Sequence, residues 1–217
     1  PTQQWKFEDT LSEAYLGITM EDIAYYASVR DQFIPNGDIW VTESGDAYGG
    51  GNTWASTFVE AIRFIDELCR FAANCRGIIF HNTLASSAYG LLNPETHLPR
   101  PQYWAGLLFN TLAGSTVYDT HESIREGVHL YAFSRKDGYP GKCCIYINNS
   151  RTEACDLTVP DCMHYCLSSD KLRSEKIFLN GEELKMKSDT MLPDFHGRWQ
   201  KAGSIKINPC TINYLIL

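Results

Sequence analysis

The chain has 217 residues, of which 44% are hydrophobic and 21% are charged, a balance typical of a folded globular protein. Its formal net charge of −7 argues against nucleic acid or an anionic membrane as the main partner, although a local site could still bind an anion. No apolar stretch approaches the ~20 residues that a spanning helix needs, so we expect no transmembrane segment.

Eight cysteines occur without paired C-x-x-C motifs, which argues against a structural zinc site, and we expect no metal or organic cofactor. Cys162, His164 and Cys166 alternate along the chain, a spacing that fits one face of a strand. Asn148-Asn149-Ser150 matches the glycosylation pattern, which is too common by chance to decide the compartment.

The first half of the chain is predicted to alternate helices and strands. In chain order we expect a helix that starts at the capping box Thr19–Asp22, a strand over 38–43, a helix over 54–73, a strand over 77–82 and a helix over 103–112 that ends at Gly114. Both strands are short and mostly apolar, as in a parallel sheet that is covered on both faces. Such alternation is typical of βα units, and two strands alone are expected to be part of a larger sheet.

The second half is predicted to be antiparallel. Short β-rich runs are separated by turns, at residues 117–119, 128–134, 144–148, 156–159, 176–179 and 211–217. Asn180-Gly181 predicts a hairpin between residues 176–179 and 183–186. We therefore expect residues 115–217 to form a β-sandwich.

Polar residues end both predicted strands of the first half. Glu43 ends one strand and Asn82 the other, and active sites of α/β barrels gather at the carboxyl ends of their strands. Glu43 has the position expected of the nucleophile of a retaining glycosidase, although a solvated or helix-capping glutamate fits equally well. His81 should face away from this edge, and Asp46 has no assigned role.

A glycine-rich turn, Gly49–Gly51, follows Glu43 and could bring backbone amides close to a ligand. It lacks both the G-x-x-x-x-G-K-[ST] and the G-x-G-x-x-G pattern, so a nucleotide site is not favoured. Tyr48 and Tyr89 could contact a sugar or could simply pack.

Several of these segments resemble glycoside hydrolase family 79, the heparanases and related β-glucuronidases. The segment Ile39–Gly51, which contains Glu43, is similar to the family's nucleophile segment. Further similar segments lie downstream, at His81–Thr83, Tyr89–Leu91, Pro101–Phe109, Phe178–Gly181, Leu184–Met186 and Thr190–Pro193.

The resemblance implies a (β/α)8 (TIM) barrel followed by an antiparallel β-sandwich. Residues 1–114 would be the last βα units of the barrel and 115–217 the sandwich. Glu43 would be the nucleophile at the end of the seventh strand. Gly49, Gly50 and Tyr89 match positions that hold a uronate carboxylate in the family, and Asn82 matches a position near the bound sugar. The resemblance also favours a location outside the cytoplasm.

The sequence departs from the family's pattern at the acid/base residue. The family's acid/base glutamate follows an asparagine on an upstream strand, and this sequence contains no Asn-Glu pair. We therefore expect the chain to be a fragment of a hydrolase that cleaves β-linked glucuronosides. By itself the fragment is expected to be inactive, and its expected partner is the missing N-terminal barrel portion. Two alternatives stay open: a non-catalytic carbohydrate-binding or barrel-completing module, and a related hydrolase of neutral β-glycosides.

Overall fold

A computed structural model describes residues 5–47 and 49–217. After a short 3-10 helix at Phe7–Asp9, the first half contains α1 (Glu13–Arg30), β1 (Ile39–Ser44), α2 (Phe58–Asn74), β2 (Gly77–His81) and α3 (Pro101–Leu112). The second half contains β3 (Ala113–Tyr118), β4 (His129–Arg135), β5 (Lys142–Asn148), β6 (Cys155–Val159), β7 (Cys162–Ser168), β8 (Phe178–Leu179), β9 (Glu182–Glu183), β10 (Arg198–Gln200), β11 (Gly203–Ile207) and β12 (Thr211–Ile216).

The start of α1 differs from the sequence prediction. Its N-cap is Ser12, whose hydroxyl accepts a hydrogen bond from the amide of Tyr15 at 3.2 Å. The predicted start at Thr19 is wrong because Thr19 lies inside the helix, where its hydroxyl donates to Glu67 of α2 instead of capping. A capping pattern is a local signal, and the residue that caps the helix in the structure, Ser12, lies earlier in the chain.

The two strands of the first half pair in parallel, as predicted. Trp40 lies opposite Ile78, and the register shifts between Val41 and Ser44. In the described residues β1 and β2 form a separate two-stranded sheet, with no further strand on either edge.

The second half is dominated by an eight-stranded antiparallel sheet in the order β3-β4-β5-β12-β7-β8-β9, with β10 also paired to β7. The predicted hairpin at Asn180-Gly181 is confirmed, although its strands β8 and β9 have only two residues each. Cys162, His164 and Cys166 lie on β7, as their alternation predicts. The strands β10 and β11 were not predicted.

Both faces of the large sheet are covered. One face shares a continuous core with α2 and α3, in which Phe109 packs edge-on against Phe133 with 5.5 Å between ring centroids. On the other face, Tyr146 and Leu215 pack against Ile205 and Ile207 near the small sheet of β6 and β11. A division into two domains at residue 114 stays a prediction.

All eight cysteines are free. Asn148 of the glycosylation pattern is fully buried, and its amide donates to the backbone oxygens of Glu153 and Ile207. An asparagine in this position is not accessible in the folded chain. Among the described residues, no helix is both long and apolar enough to cross a membrane.

A buried ionic cluster joins α1, α2 and β4. The imidazole of His129 lies 2.6 Å from Asp66 and 2.7 Å from Glu13, and Arg70 pairs with both carboxylates. Burial of the ring opposes protonation, but hydrogen bonds to Asp66 and Glu13 outweigh it and raise the pKa of His129 to about 9. Two cations thus neutralise two carboxylates, and this pairing offsets the desolvation cost of burying the cluster.

We expect the stability that His129 contributes to be complete below about pH 6.5, its ordinary pKa, and to be lost as the pH rises through about 9. The free energy of unfolding should therefore fall with pH in the wild type relative to a His129→Gln variant. Urea denaturation of both proteins between pH 6 and 9 measures this difference. Titration of other groups, such as Glu60, is common to both proteins, and parallel pH profiles would contradict the assignment.

Candidate active site

The orientation of Glu43 depends on the register shift in β1. Val41 lies opposite Ile79 and Ser44 lies opposite His81, so Thr42 and Glu43 both fall opposite the single residue Phe80. This is the arrangement of a β-bulge, which re-aims the side chains that follow it.

Without the bulge, Glu43 would share a face with Ile39 and Val41, because side chains alternate along a strand. That face is half-buried against the helices. In the structure Glu43 is exposed and Ser44 is buried. The bulge therefore places Glu43 on the exposed face of the sheet and Ser44 on the buried face.

The opposite face of the β1–β2 sheet is bare. Trp40 is 60% exposed, Ile78 41% and Phe80 46%, and the rings of Trp40 and Phe80 lie 6.5 Å apart. Large apolar side chains on one face of a two-stranded parallel sheet are normally covered, because parallel sheets are buried on both sides.

A cleft of about 590 Å³ lies between α1 and β1, and Glu43 contributes to its lining. Asp22 of α1 is the other carboxylate that lines it, among the residues the structure describes. The remaining lining is largely apolar and includes Ile23, Tyr26 and Trp40. No group of three or more His, Cys, Asp or Glu side chains arranged for a metal ion is found among residues 5–47 and 49–217.

Asn82 follows β2 directly, and its backbone amide donates to the carbonyl oxygen of Ser44 at 2.7 Å. Its side-chain amide lies 3.5 Å from the hydroxyl of Tyr89, a long hydrogen bond. The ring of His81 packs against Phe64 of α2, on the expected helix side, with 4.7 Å between centroids, and its Nε2 lies 3.0 Å from the carbonyl oxygen of Tyr89. Burial lowers the pKa of His81.

The glycine turn packs against Tyr89. Gly49, Gly50 and Gly51 all have positive φ angles, of 83°, 109° and 95°. The carbonyl of Gly50 accepts from the amide of Ala88 at 2.9 Å. At Gly51 a Cβ atom would come within 2.8 Å of the Tyr89 ring, whereas at Gly49 and Gly50 the space around such an atom is open.

Asp46 closes the glycine turn. One of its carboxylate oxygens accepts from both the backbone amide and the side-chain amide of Asn52, at 3.1 and 3.0 Å. Burial raises the pKa of Asp46. Sequence reasoning left Asp46 without a role, and its spacing of six residues from Asn52 across a glycine run was the available signal.

The structure thus brings most of the predicted residues to one edge. Asn82, Tyr89 and the glycine turn are in direct contact, and Glu43 lies one residue before Ser44, which is bonded to Asn82. Tyr48 lies outside the described residues. Sequence reasoning also missed Glu67 of α2, which accepts a hydrogen bond from Ser44 at 2.7 Å.

Comparison with curated proteins finds relatives of low identity that cover most of the chain. Hyaluronoglucuronidase of Hirudo nipponia is 28% identical over 82% of this chain, and heparanase of Mus musculus is 26% identical over 91%. Baicalin-β-D-glucuronidase of Scutellaria baicalensis is 26% identical over 71%. The chain spans 40% of the length of the first two relatives and 31% of the third.

These relatives confirm the resemblance to the heparanases and β-glucuronidases of glycoside hydrolase family 79. No protein-family model matches the chain.

Solved structures that are similar to this chain are glycoside hydrolases with TIM-barrel folds. A 4-O-α-L-rhamnosyl-β-D-glucuronidase from Fusarium oxysporum matches 98% of this chain and 50% of its own, with a TM-score of 0.71 and 13% identity. A GH51 arabinofuranosidase from Xanthomonas axonopodis matches 99% of this chain and 48% of its own, with a TM-score of 0.64 and 11% identity.

We expect Gly51→Ala to destabilise the protein more than Gly49→Ala. Both substitutions place a side chain at positive φ, which costs about 1–2 kcal/mol. Only at Gly51 does the new Cβ atom collide with Tyr89 and Asp46, which adds about 1–3 kcal/mol. Denaturant unfolding of the two variants measures the difference. Equal losses of stability would show that Tyr89 does not pack against the turn.

Proposed function

We propose that this chain is the C-terminal part of a retaining glycoside hydrolase that cleaves β-linked glucuronosides, with Glu43 as its nucleophile. The observation that carries the proposal is the bulge in β1, which turns Glu43 onto the exposed face beside the end of β2. The names of the relatives, a hyaluronoglucuronidase and a baicalin-β-D-glucuronidase among them, support the substrate class.

In the proposed reaction, a carboxylate oxygen of Glu43 attacks the anomeric carbon of the glucuronoside and forms a glycosyl ester. The bond to the leaving oxygen breaks at the same time, and a second carboxyl group donates a proton to that oxygen. The same group then takes a proton from water, which attacks the anomeric carbon and releases Glu43. Two inversions give net retention.

The uronate would lie against the glycine turn. Gly49 and Gly50 have open space where a Cβ atom would stand, so a ligand can approach their backbone amides. Among the described residues, the hydroxyl of Tyr89 has one hydrogen-bond partner, the side-chain amide of Asn82, which donates to it over a long 3.5 Å, so the hydroxyl proton can be donated to a carboxylate. In this proposal Tyr48, Gly49, Gly50, Asn82 and Tyr89 contact the sugar.

The second carboxyl group and most of the barrel would come from outside this chain. We propose that residues 1–114 supply the last βα units of a (β/α)8 barrel and that residues 115–217 form its β-sandwich domain. The bare face of Trp40, Ile78 and Phe80 supports this, because an apolar face of this kind calls for a covering partner. The partner is the N-terminal barrel portion.

A purely carbohydrate-binding role has weaker support. Exposed aromatic side chains of the second half include Tyr118, Tyr139 and Trp199. The cation of Lys142 lies over the ring of Tyr118 and that of Arg135 lies over Tyr139, so these two tyrosine rings do not form a free platform, and Trp199 alone is not a strip of aromatic side chains. A hydrolase of neutral β-glycosides would keep Glu43 and lose the role of the glycine turn.

We expect Glu43→Gln in the complete gene product to abolish hydrolysis of 4-nitrophenyl β-D-glucuronide, by on the order of 10³-fold or more, because an amide is no nucleophile. Asp22→Asn, which changes the other carboxylate of the cleft, is the matched control and should keep the activity. The 217-residue chain alone should be inactive, since general acid catalysis contributes about 10²–10⁴-fold. Activity of the chain alone would place the acid/base within it, and an inactive wild type would favour a neutral sugar or a binding role.

The proposed barrel partner makes a separate prediction about solvent protection. We expect backbone amides of residues 39–44 and 77–81 to exchange hydrogen more slowly in the complete gene product than in the 217-residue chain, because added strands would cover them. Residues 142–148, in the interior strand β5, should exchange alike in both proteins and serve as the internal control. Equal exchange at residues 39–44 would contradict a covering partner.

A further inference from the structure

Glu67 of α2 is a buried carboxylate on which three donors converge. A single oxygen, Oε1, accepts from the hydroxyl of Ser44 at 2.7 Å, from the hydroxyl of Thr19 at 2.6 Å and from the guanidinium of Arg63 at 3.1 Å. The side chain is only 4% exposed. Glu67 therefore ties β1 and α1 to α2 at one point.

The helix that carries Glu67 is itself held firmly. Arg63 lies one turn earlier, and its guanidinium also pairs with Glu60 at 2.6 Å. All three side chains are buried. The anchor that Ser44 meets is thus fixed by an ion-pair network and by the core around α2, and it is not a mobile surface group.

Ser44 is the residue that follows Glu43, and it is 7% exposed. Side chains of adjacent strand residues point to opposite faces of the sheet. The bond from Ser44 to Glu67 holds the Ser44 side chain on the helix face, and the direction of Glu43 follows from it. The carbonyl of Ser44 also accepts from Asn82, so the same residue links the ends of β1 and β2.

We infer that Glu67 is a positioning residue, which acts through Ser44 to aim Glu43 at the exposed face of the β1–β2 sheet. The inference rests on the proposed function for its catalytic consequence. The geometric part, that the bond between Ser44 and Glu67 orders the end of β1, is independent of any activity.

Three single variants of the complete gene product test this inference. Ser44→Ala removes the bond from the strand, Ser44→Thr restores a hydroxyl at the same position, and Thr19→Ala removes a bond to the same oxygen from α1. Ser44→Ala and Thr19→Ala should both lower the thermal midpoint, since each removes a hydrogen bond to the buried carboxylate of Glu67. If the role of Ser44 were purely structural, the loss of thermal stability would be the only effect of Ser44→Ala.

A positioning role predicts a different result for catalysis. Ser44→Ala should lower kcat on 4-nitrophenyl β-D-glucuronide by about 10- to 100-fold with little change in KM, because a small misplacement of a reacting group costs this much. Ser44→Thr should restore most of kcat, and Thr19→Ala should keep it. Adding Glu67→Gln to Ser44→Ala should cause little further loss of kcat, because Glu67 acts through Ser44.

Hydrogen exchange of residues 42–45 gives a readout that does not need activity. Ser44→Ala should speed exchange there, and Thr19→Ala should leave it unchanged. If exchange responds as expected but the wild type does not hydrolyse glucuronides, the proposed function fails and the positioning of β1 stands. Unchanged exchange in Ser44→Ala, or equal effects of Ser44→Ala and Thr19→Ala on kcat, would overturn the inference.

Discussion

The burial of α2 on almost all sides is the constraint on which the rest of the structure depends. One side of the helix packs with the antiparallel sheet in a shared core, and its other side meets α1 and the strands β1 and β2. A helix in this position cannot leave a charge unpaired, since an uncompensated buried charge is very costly. Its five buried charged residues are accordingly all engaged in ion pairs, namely Glu60, Arg63, Asp66, Glu67 and Arg70.

The same charged residues also connect α2 to its neighbours. Asp66 joins the helix to His129 on β4, and Glu67 joins it to Ser44 on β1. The same helix thus links the antiparallel sheet to the parallel strands that carry the candidate site. This arrangement anchors the end of β1 to α2 although one face of the β1–β2 sheet is bare.

Under the proposed function, the candidate site is one part of a larger active site. The residues of this site come from the ends of two strands and the loops that follow them, namely Glu43, the glycine turn and the pair Asn82 and Tyr89. An active site at the carboxyl ends of parallel strands draws residues from several strands. Two strands therefore supply a sector of such a site, and the proposed acid/base falls in another sector.

Much of this could be anticipated from particular residues. The apolar runs at 38–43 and 77–82 predicted parallel strands that the structure pairs, and Asn180-Gly181 predicted its hairpin. The short strands β10 and β11 gave little periodic signal, and the capping pattern Thr19–Asp22 predicted a helix start that lies inside α1, whose N-cap is Ser12. Glu67 gave no signal at all, because a glutamate on a helix is usually solvated.

The sequence by itself determined the order of the elements in the first half, the parallel pairing of the two apolar strands and the residue types at their ends. These properties depend on local periodicity and turn chemistry, which a short window of residues contains. Only the tertiary structure decided which way Glu43 points, because a one-residue shift of register reverses the face of every later side chain in a strand. It also decided that Ser44 meets Glu67, a contact between residues 23 apart that only the packing of α2 against β1 creates.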